Sequence, residues 1–230
     1  MGPSKPSSAR GVPFRPLGSP QSKIQNPKSK IATGRSLRLA HVISMVCLPP
    51  LLAIGTLITL SSHFVADPRE AAAVAVVSSF FIAIAPAGYV AYLLKRRKLS
   101  GGVDLVLREE RLRPYLVGAG SCLLGLLVLM GLSAPQSVTV LTLCYGVNAV
   151  IMAMITQRWK ISAHAAGAAM PLTALLGAFG TAALPLAVIV PVVCWARVKA
   201  QVHTVAQVSA GALLGFLLTW LQLALLAPRF

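Results

Sequence analysis

From residue 39 onward the chain is a succession of long apolar stretches with few or no charges, separated by short polar or Pro/Gly-rich breaks. A helix needs about 20 apolar residues to cross the hydrocarbon core of a bilayer, so stretches of this length predict membrane-spanning helices. Seven are predicted, over 39–61, 70–94, 114–133, 137–156, 162–180, 183–197 and 204–226. Pro49-Pro50 should kink the first, because proline removes a backbone donor and its ring clashes with the preceding turn. The fifth and sixth are short and divided by a breaker from Gly180 to Pro185; read as one long bent helix, they bring the count to six. The expected fold is all-α, an integral membrane bundle of six to seven transmembrane helices. Small residues crowd the fifth span (among them Ala165, Ala166, Gly167, Ala168 and Ala169), which predicts close approach of a neighbouring helix.

Residues 1–37 break this pattern. They are rich in Ser, Pro, Gly, Lys and Arg, contain no acid and show no apolar periodicity, and are expected to form a disordered basic tail. Such a tail is drawn to anionic lipid headgroups, at about 1 kcal/mol per base near the surface. The apolar run that follows continues too far for a cleaved secretory signal. The tail's composition also suits an organellar transit peptide, but its six prolines oppose the amphipathic helix such a peptide forms. The chain thus divides into a tail (1–37), two N-terminal spans (38–94) and a region (95–226) that carries the chemistry.

Composition agrees with the pattern. The chain is 56% hydrophobic and 11% charged, whereas a soluble domain carries roughly a quarter charged residues. A formal charge of +16 would suggest nucleic acid in a soluble protein, but its placement points elsewhere. With seven spans, 19 of the 21 Lys and Arg fall on one side, in the tail, in the loops 95–113, 157–161 and 198–203, or at the span ends facing them. Asp104, Glu109 and Glu110 are the acids there, so that side is +16; Arg69 and Arg229 against Asp67 and Glu70 leave the other side neutral. This asymmetry makes the basic side, with the N-terminus, cytoplasmic. The expected location is a bacterial plasma membrane, and no nucleic-acid partner is expected. Cys47, Cys122, Cys144 and Cys194 lie in apolar spans without paired or metal-like spacing and read as small hydrophobes.

Three polar segments meet on the basic face: Arg108 to Pro114 entering the third span, Lys160 to His164 entering the fifth, and Arg197 to Gln207 between the sixth and seventh. Ionisable groups at a span end are costly unless they pair, bind something or reach the interface. Arg, Lys and His together suit phosphate, since guanidinium groups grip two oxygens each and helix N-termini add backbone donors. Ser162 and His164 sit where the fifth helix starts, and their N–H groups can face an anion. Arg96, Arg97 and Lys98 read as topology-setting bases. His41 and His63, at opposite ends of the first span, read as interfacial or packing residues. His164 and His203 differ, because histidine is no topology marker and neither has an obvious acid partner.

These segments resemble the three signature motifs of the type 2 phosphatidic acid phosphatase superfamily. The family's third motif is Ser-Arg, five residues, His, three residues, Asp; the chain has Ala196-Arg197, Val198 to Val202, His203, Thr204 to Ala206 and Gln207. The second is Pro-Ser-Gly-His, matched by Ile161-Ser162-Ala163-His164. The first is Lys, six residues, Arg-Pro; Arg113-Pro114 closes it, Val106 stands at the Lys position, and Arg108 or Arg111 can supply the cation. The resemblance covers roughly 95–226 in order, spacing and topology.

The resemblance implies a membrane phosphatase that hydrolyses lipid phosphates or isoprenoid diphosphates through a phosphohistidine. By position, His203 is the nucleophile and His164 the acid that protonates the leaving alkoxide. Arg197, Ser162, Arg113 and Arg111 hold phosphate, and Gln207 stands where the family has Asp. No metal or cofactor is implied, and the expected partners are membrane lipids. Gln207 can accept the Nδ1 hydrogen bond but cannot offset positive charge developing on the imidazole, so turnover should be slow. The alternative is a catalytically inert relative acting as a structural or lipid-binding subunit of a membrane complex. A transporter is disfavoured, because the spans hold no intramembrane acid and no paired broken helices.

Overall fold

A computed structural model of the chain describes residues 34–96 and 110–227, together with Gly2. Nearly all of the expected tail, with Arg97, Lys98, Asp104, Val106, Arg108, Glu109 and Arg229, lies outside the described residues. Among the described residues the secondary structure is helical, without strands. The segments are α1 (Gly34–Val46), α2 (Pro49–Phe64), α3 (Pro68–Ser79), α4 (Ala85–Lys95), α5 (Leu112–Gly131), α6 (Gln136–Thr156), α7 (Ala163–Phe179), α8 (Ile189–Lys199) and α9 (Val205–Leu226). A π turn (Phe80–Ile84) joins α3 to α4, and a 3-10 segment (Gly180–Val188) joins α7 to α8. The protein is an all-α, multi-pass integral membrane protein. Large apolar side chains such as Leu123, Leu127, Leu213 and Leu217 cover its exterior, as lipid-facing positions require.

Five helical stretches are long and apolar enough to cross a bilayer, and a sixth is formed if the bent pair of α1 and α2 is one span. The bend is 45° and falls at the predicted Pro49-Pro50. The 37-residue stretch Ala163–Lys199 counts as one helix by length and composition, but it is not a straight rod. Lys160, just before it, donates from Nζ to the carbonyl of Val202, just after it, at 2.8 Å. A straight helix of that length would separate its ends by about 55 Å. The stretch therefore doubles back through the 3-10 segment, where Gly180 adopts φ 58°, a conformation open to a residue without a Cβ. Its two arms correspond to the predicted fifth and sixth spans.

The π turn has a local cause. Ala85 donates to Phe80 rather than to Phe81, and Pro86 has no N–H to offer the Phe81 carbonyl. Ser121 on α5 supplies the donor, its Oγ lying 2.7 Å from that oxygen, as a bilayer interior without water demands. Beside it Gly125 admits Phe81; a Cβ there would lie 2.6 Å from the Phe81 Cβ. Between α6 and α9, Asn148 donates to Thr219 at 3.0 Å and accepts from Gln222 at 3.3 Å.

The tightest packing joins α7 to α9. A Cβ on Gly211 would lie 2.5 Å from the carbonyl oxygen of Ser162, and one on Gly215 would lie 2.6 Å from that of Ala166. The small residues predicted to admit a close neighbour on the fifth span do so, and glycines on the seventh complete the fit. A third approach sets Gly167 of α7 against Pro49, where a Cβ would lie 2.6 Å from the proline's own. His63 packs edge-on against Phe64 and tilted against Phe179, a packing role, and His41 Nδ1 lies 2.9 Å from the carbonyl of Leu37 on its own helix.

Candidate functional site

Five helix ends meet at one end of the bundle: the starts of α5, α7 and α9 and the ends of α6 and α8. Each brings a polar side chain inward for a local reason. Ser162 is the N-cap of α7, its Oγ accepting the N–H of Ala165 at 3.3 Å. Thr204 is the N-cap of α9 and forms a capping box with Gln207, whose N–H donates to the Thr204 Oγ at 3.3 Å. The two N-termini are tied together, with Ser162 N–H donating to the Gln207 carbonyl at 3.2 Å. The positive ends of two helix dipoles therefore lie side by side.

Three cations surround this pair of helix ends. Arg197, in the last turn of α8, is 1% exposed and is the largest fully buried side chain among the described residues. Its carbonyl accepts from the N–H of Val202 and of His203, which folds the α8–α9 loop over it. Arg111, the residue before α5, is 3% exposed, and its Nη1 donates to the Ile161 carbonyl at 2.8 Å. Lys160 reaches the Val202 carbonyl, as above. The Arg111 and Lys160 side chains each bridge two segments far apart in sequence, so these two cations also pin the site together.

His203 is 7% exposed in the α8–α9 loop. The side-chain oxygen of Gln207 accepts the backbone N–H of Thr204 at 3.2 Å and lies 3.1 Å from His203 Nδ1. A backbone N–H can only donate, so the atom it faces is the amide oxygen, and an oxygen facing Nδ1 requires the proton on Nδ1. Nε2 is then left with the lone pair. Burial pushes the imidazole down to about 3, helped by Arg111, Lys160 and Arg197, while the Gln207 hydrogen bond opposes the shift. The ring is neutral at physiological pH, with its free nitrogen in a cationic surrounding.

This has a measurable consequence. The imidazole titrates near its ordinary 6.5 in the unfolded chain and near 3 in the folded one, so between these values the unfolded chain holds the extra proton. The stability tied to this group is complete above pH 6.5 and declines as pH falls from 6.5 toward 3. In an imidazole NMR titration of the micelle-solubilised protein, His203 should show no inflection between about pH 5 and 8. Arg111→Met should move its pKa upward. An ordinary inflection near 6.5 in the parent protein would contradict the buried, cation-flanked ring.

Of the other sequence-predicted residues, His164 lies in the first turn of α7, 8% exposed. It lines a cavity together with Arg111 and Tyr115. Arg113 is not brought into the cluster; it is exposed. Residues two apart on a helix point to opposite sides, so with Arg111 turned inward Arg113 faces out. Arg111 holds the inner position although the family spacing falls on Arg113. Lys160 lies beside the second motif, and the distant Val202 it meets is invisible in a one-dimensional pattern. Tyr115, also near Arg111 and Thr156, carried no signal beyond its closeness to Arg113-Pro114. Thr204 was missed as a cap, although Thr-x-x-Gln before an apolar run is a helix-start signature that could have found it.

Comparison with protein-family models, with curated proteins and with solved structures finds no match.

Proposed function

We propose that this protein is a membrane phosphohydrolase that removes phosphate from an amphiphilic phosphate ester or diphosphate through a phosphohistidine on His203. The observation that carries the reading is the double hydrogen bond to the Gln207 side-chain oxygen, which places the His203 proton on Nδ1 and leaves Nε2 nucleophilic. In the proposed reaction the Nε2 lone pair attacks phosphorus and the phosphorus–alkoxide bond breaks. The alkoxide takes a proton from His164. His164 then withdraws a proton from water, which attacks phosphorus and releases inorganic phosphate with His203 regenerated. Arg111, Arg197 and Lys160 hold the phosphoryl oxygens, aided by the N–H groups opening α7 beyond Ser162. Arg113, exposed, contributes attraction at the rim. The site side is cytoplasmic on the charge asymmetry, in a bacterial plasma membrane, and the substrate arrives laterally from the lipid.

A second reading, a lipid-phosphate-binding subunit without turnover, is favoured by one feature. Gln207 is neutral, so nothing in its position compensates the charge that forms when Nε2 bonds to phosphorus. Gln207→Glu separates the readings, because glutamate keeps the capping box and the acceptor to Nδ1 while adding that charge. With the proton already on the right nitrogen, the gain should be about tenfold to a hundredfold, smaller than when a lost carboxylate also upsets the tautomer. The measurement is inorganic phosphate release from a panel of lipid phosphates and isoprenoid diphosphates. Alongside it, mass spectrometry seeks an acid-labile phosphoryl adduct on His203. If neither protein releases phosphate from any member, the binding-subunit reading stands in place of the enzyme.

A further inference from the structure

Below the cationic cluster the bundle carries two half-open clefts. One, of about 280 Å³, is lined by Arg111 and His164 at the cluster, by Tyr115 of α5, and otherwise by apolar groups of α2, α4 and the start of α7. A second, of about 210 Å³, shares Pro49, Pro50, Tyr115 and Ala163 with it and continues inward between α2, α5, α6 and α7. Pro49 and Pro50, at the bend between α1 and α2, line both spaces and so lie where the two adjoin. The deepest wall positions are Cys122 on α5, Tyr145 on α6 and Met170 on α7. Cys122 lies eleven residues along its helix from Arg111, and Tyr145 eleven from Thr156. At 1.5 Å per residue the floor is about 16 Å below the cluster. Half of a roughly 30 Å hydrocarbon core is about the same distance.

We infer that this channel takes one hydrocarbon chain of a single-chain lipid phosphate, with the phosphate at the cationic mouth and Tyr145, Cys122 and Met170 forming the stop at the chain's end. The inference rests on the phosphate-binding reading of the mouth and narrows its substrate class. Depth matches one leaflet's worth of chain. Volume sets the number of chains: a cavity of about 150 Å³ holds one benzene, so the inner space has room for one chain and not for two side by side. Charge fixes the direction, since the ionic wall residues Arg111 and His164 lie at the outer end, while the inner wall holds only the neutral polar groups of Tyr115, Tyr145 and Asn148 among apolar side chains. A diacyl phosphate would leave its second chain outside in the lipid. A polyisoprenoid longer than the channel would have to bend out past Tyr145.

Gly118 offers a clean test. A Cβ added there meets nothing closer than the Cβ of Pro86 at 4.0 Å, and it projects into the inner cavity. Gly118→Leu should fill the channel while leaving the backbone in place, and replacing a helical glycine favours the helix. Binding of a dodecyl phosphonate, which cannot be hydrolysed, is measured by calorimetry on the purified full-length protein in nanodiscs. A dialkyl phosphonate and inorganic phosphate are measured beside it.

The single-chain phosphonate should bind at least tenfold more tightly than the dialkyl compound. Gly118→Leu should cost it at least tenfold and leave inorganic phosphate unchanged. Tyr145→Ala, which deepens the floor, should shift the preferred chain length upward. Equal affinity for one and two chains, or indifference of the dodecyl compound to Gly118→Leu in a protein that still binds phosphate, overturns the channel. Loss of inorganic phosphate binding in Gly118→Leu would show the two sites to be one and also overturn it. Chain-selective binding without phosphate release from any substrate would leave the channel standing and remove the enzymatic reading.

Discussion

Replacing His203 by alanine should lower phosphate release by about a thousandfold or more, with the protein still extracted as a folded monodisperse species. The size of the effect follows from what else in the site can do the work. Arg111, Arg197 and Lys160 have no lone pair to give at neutral pH, and His164 sits on a different helix facing the apolar channel. Loss of His203 leaves a binding site without a nucleophile. Affinity for inorganic phosphate should therefore change little while turnover disappears, and His203→Gln, closer in size and polarity, should be as inactive. The comparison requires rates and phosphate affinity on the same preparations. Turnover that survives both substitutions would rule out the phosphohistidine route.

The second large effect is on assembly. Gly211→Ala adds a methyl group 2.5 Å from the Ser162 carbonyl oxygen, well inside contact distance. The obstacle is backbone, so no rotamer change relieves it, and α9 must move away from α7. Overpacking of this kind costs about 1 to 3 kcal/mol. Gly211 lies one turn beyond Gln207, so the same movement lengthens the Ser162 N–H to Gln207 carbonyl bond that holds the two helix N-termini together. The melting temperature in detergent should fall by several degrees and phosphate affinity with it. Gly120→Ala on α5, where a Cβ would meet nothing within 4 Å, should leave both unchanged. If Gly211→Ala melts with the parent protein, the α7–α9 contact is looser than described.

The sequence expectations fared differently by kind. Span limits were legible to within a few residues, because the free-energy cost of charge in hydrocarbon writes itself directly into composition. The kink at Pro49-Pro50 was legible for an equally local reason, a missing N–H. The π turn at Phe80–Ile84 was not: its cause is Pro86, but its solution is Ser121, forty residues away. In the site, the partnership of His203 with Gln207 was readable from their spacing, since four residues across a helix start bring the side chains within reach. Which of the two named arginines turns inward, Arg111 and not Arg113, was not, because a motif counts positions and does not say which side of a helix start faces inward.

By itself, the sequence determined that the chain lives in lipid, where its helices begin and end, and that its cations lie overwhelmingly on one side. All three are consequences of transfer energies that act residue by residue. Tertiary structure alone decided that the ends of the Ala163–Lys199 stretch meet through Lys160 and Val202, that Arg197 is sealed in while Arg113 is left out, and that two clefts lead inward from the cluster. These depend on which surfaces are small enough to touch. Gly211 and Gly215 admit α7, and Gly167 admits Pro49; the clefts are the space that these close approaches, and the bend beside them, leave unfilled. No local property of the residues lining it announces that space.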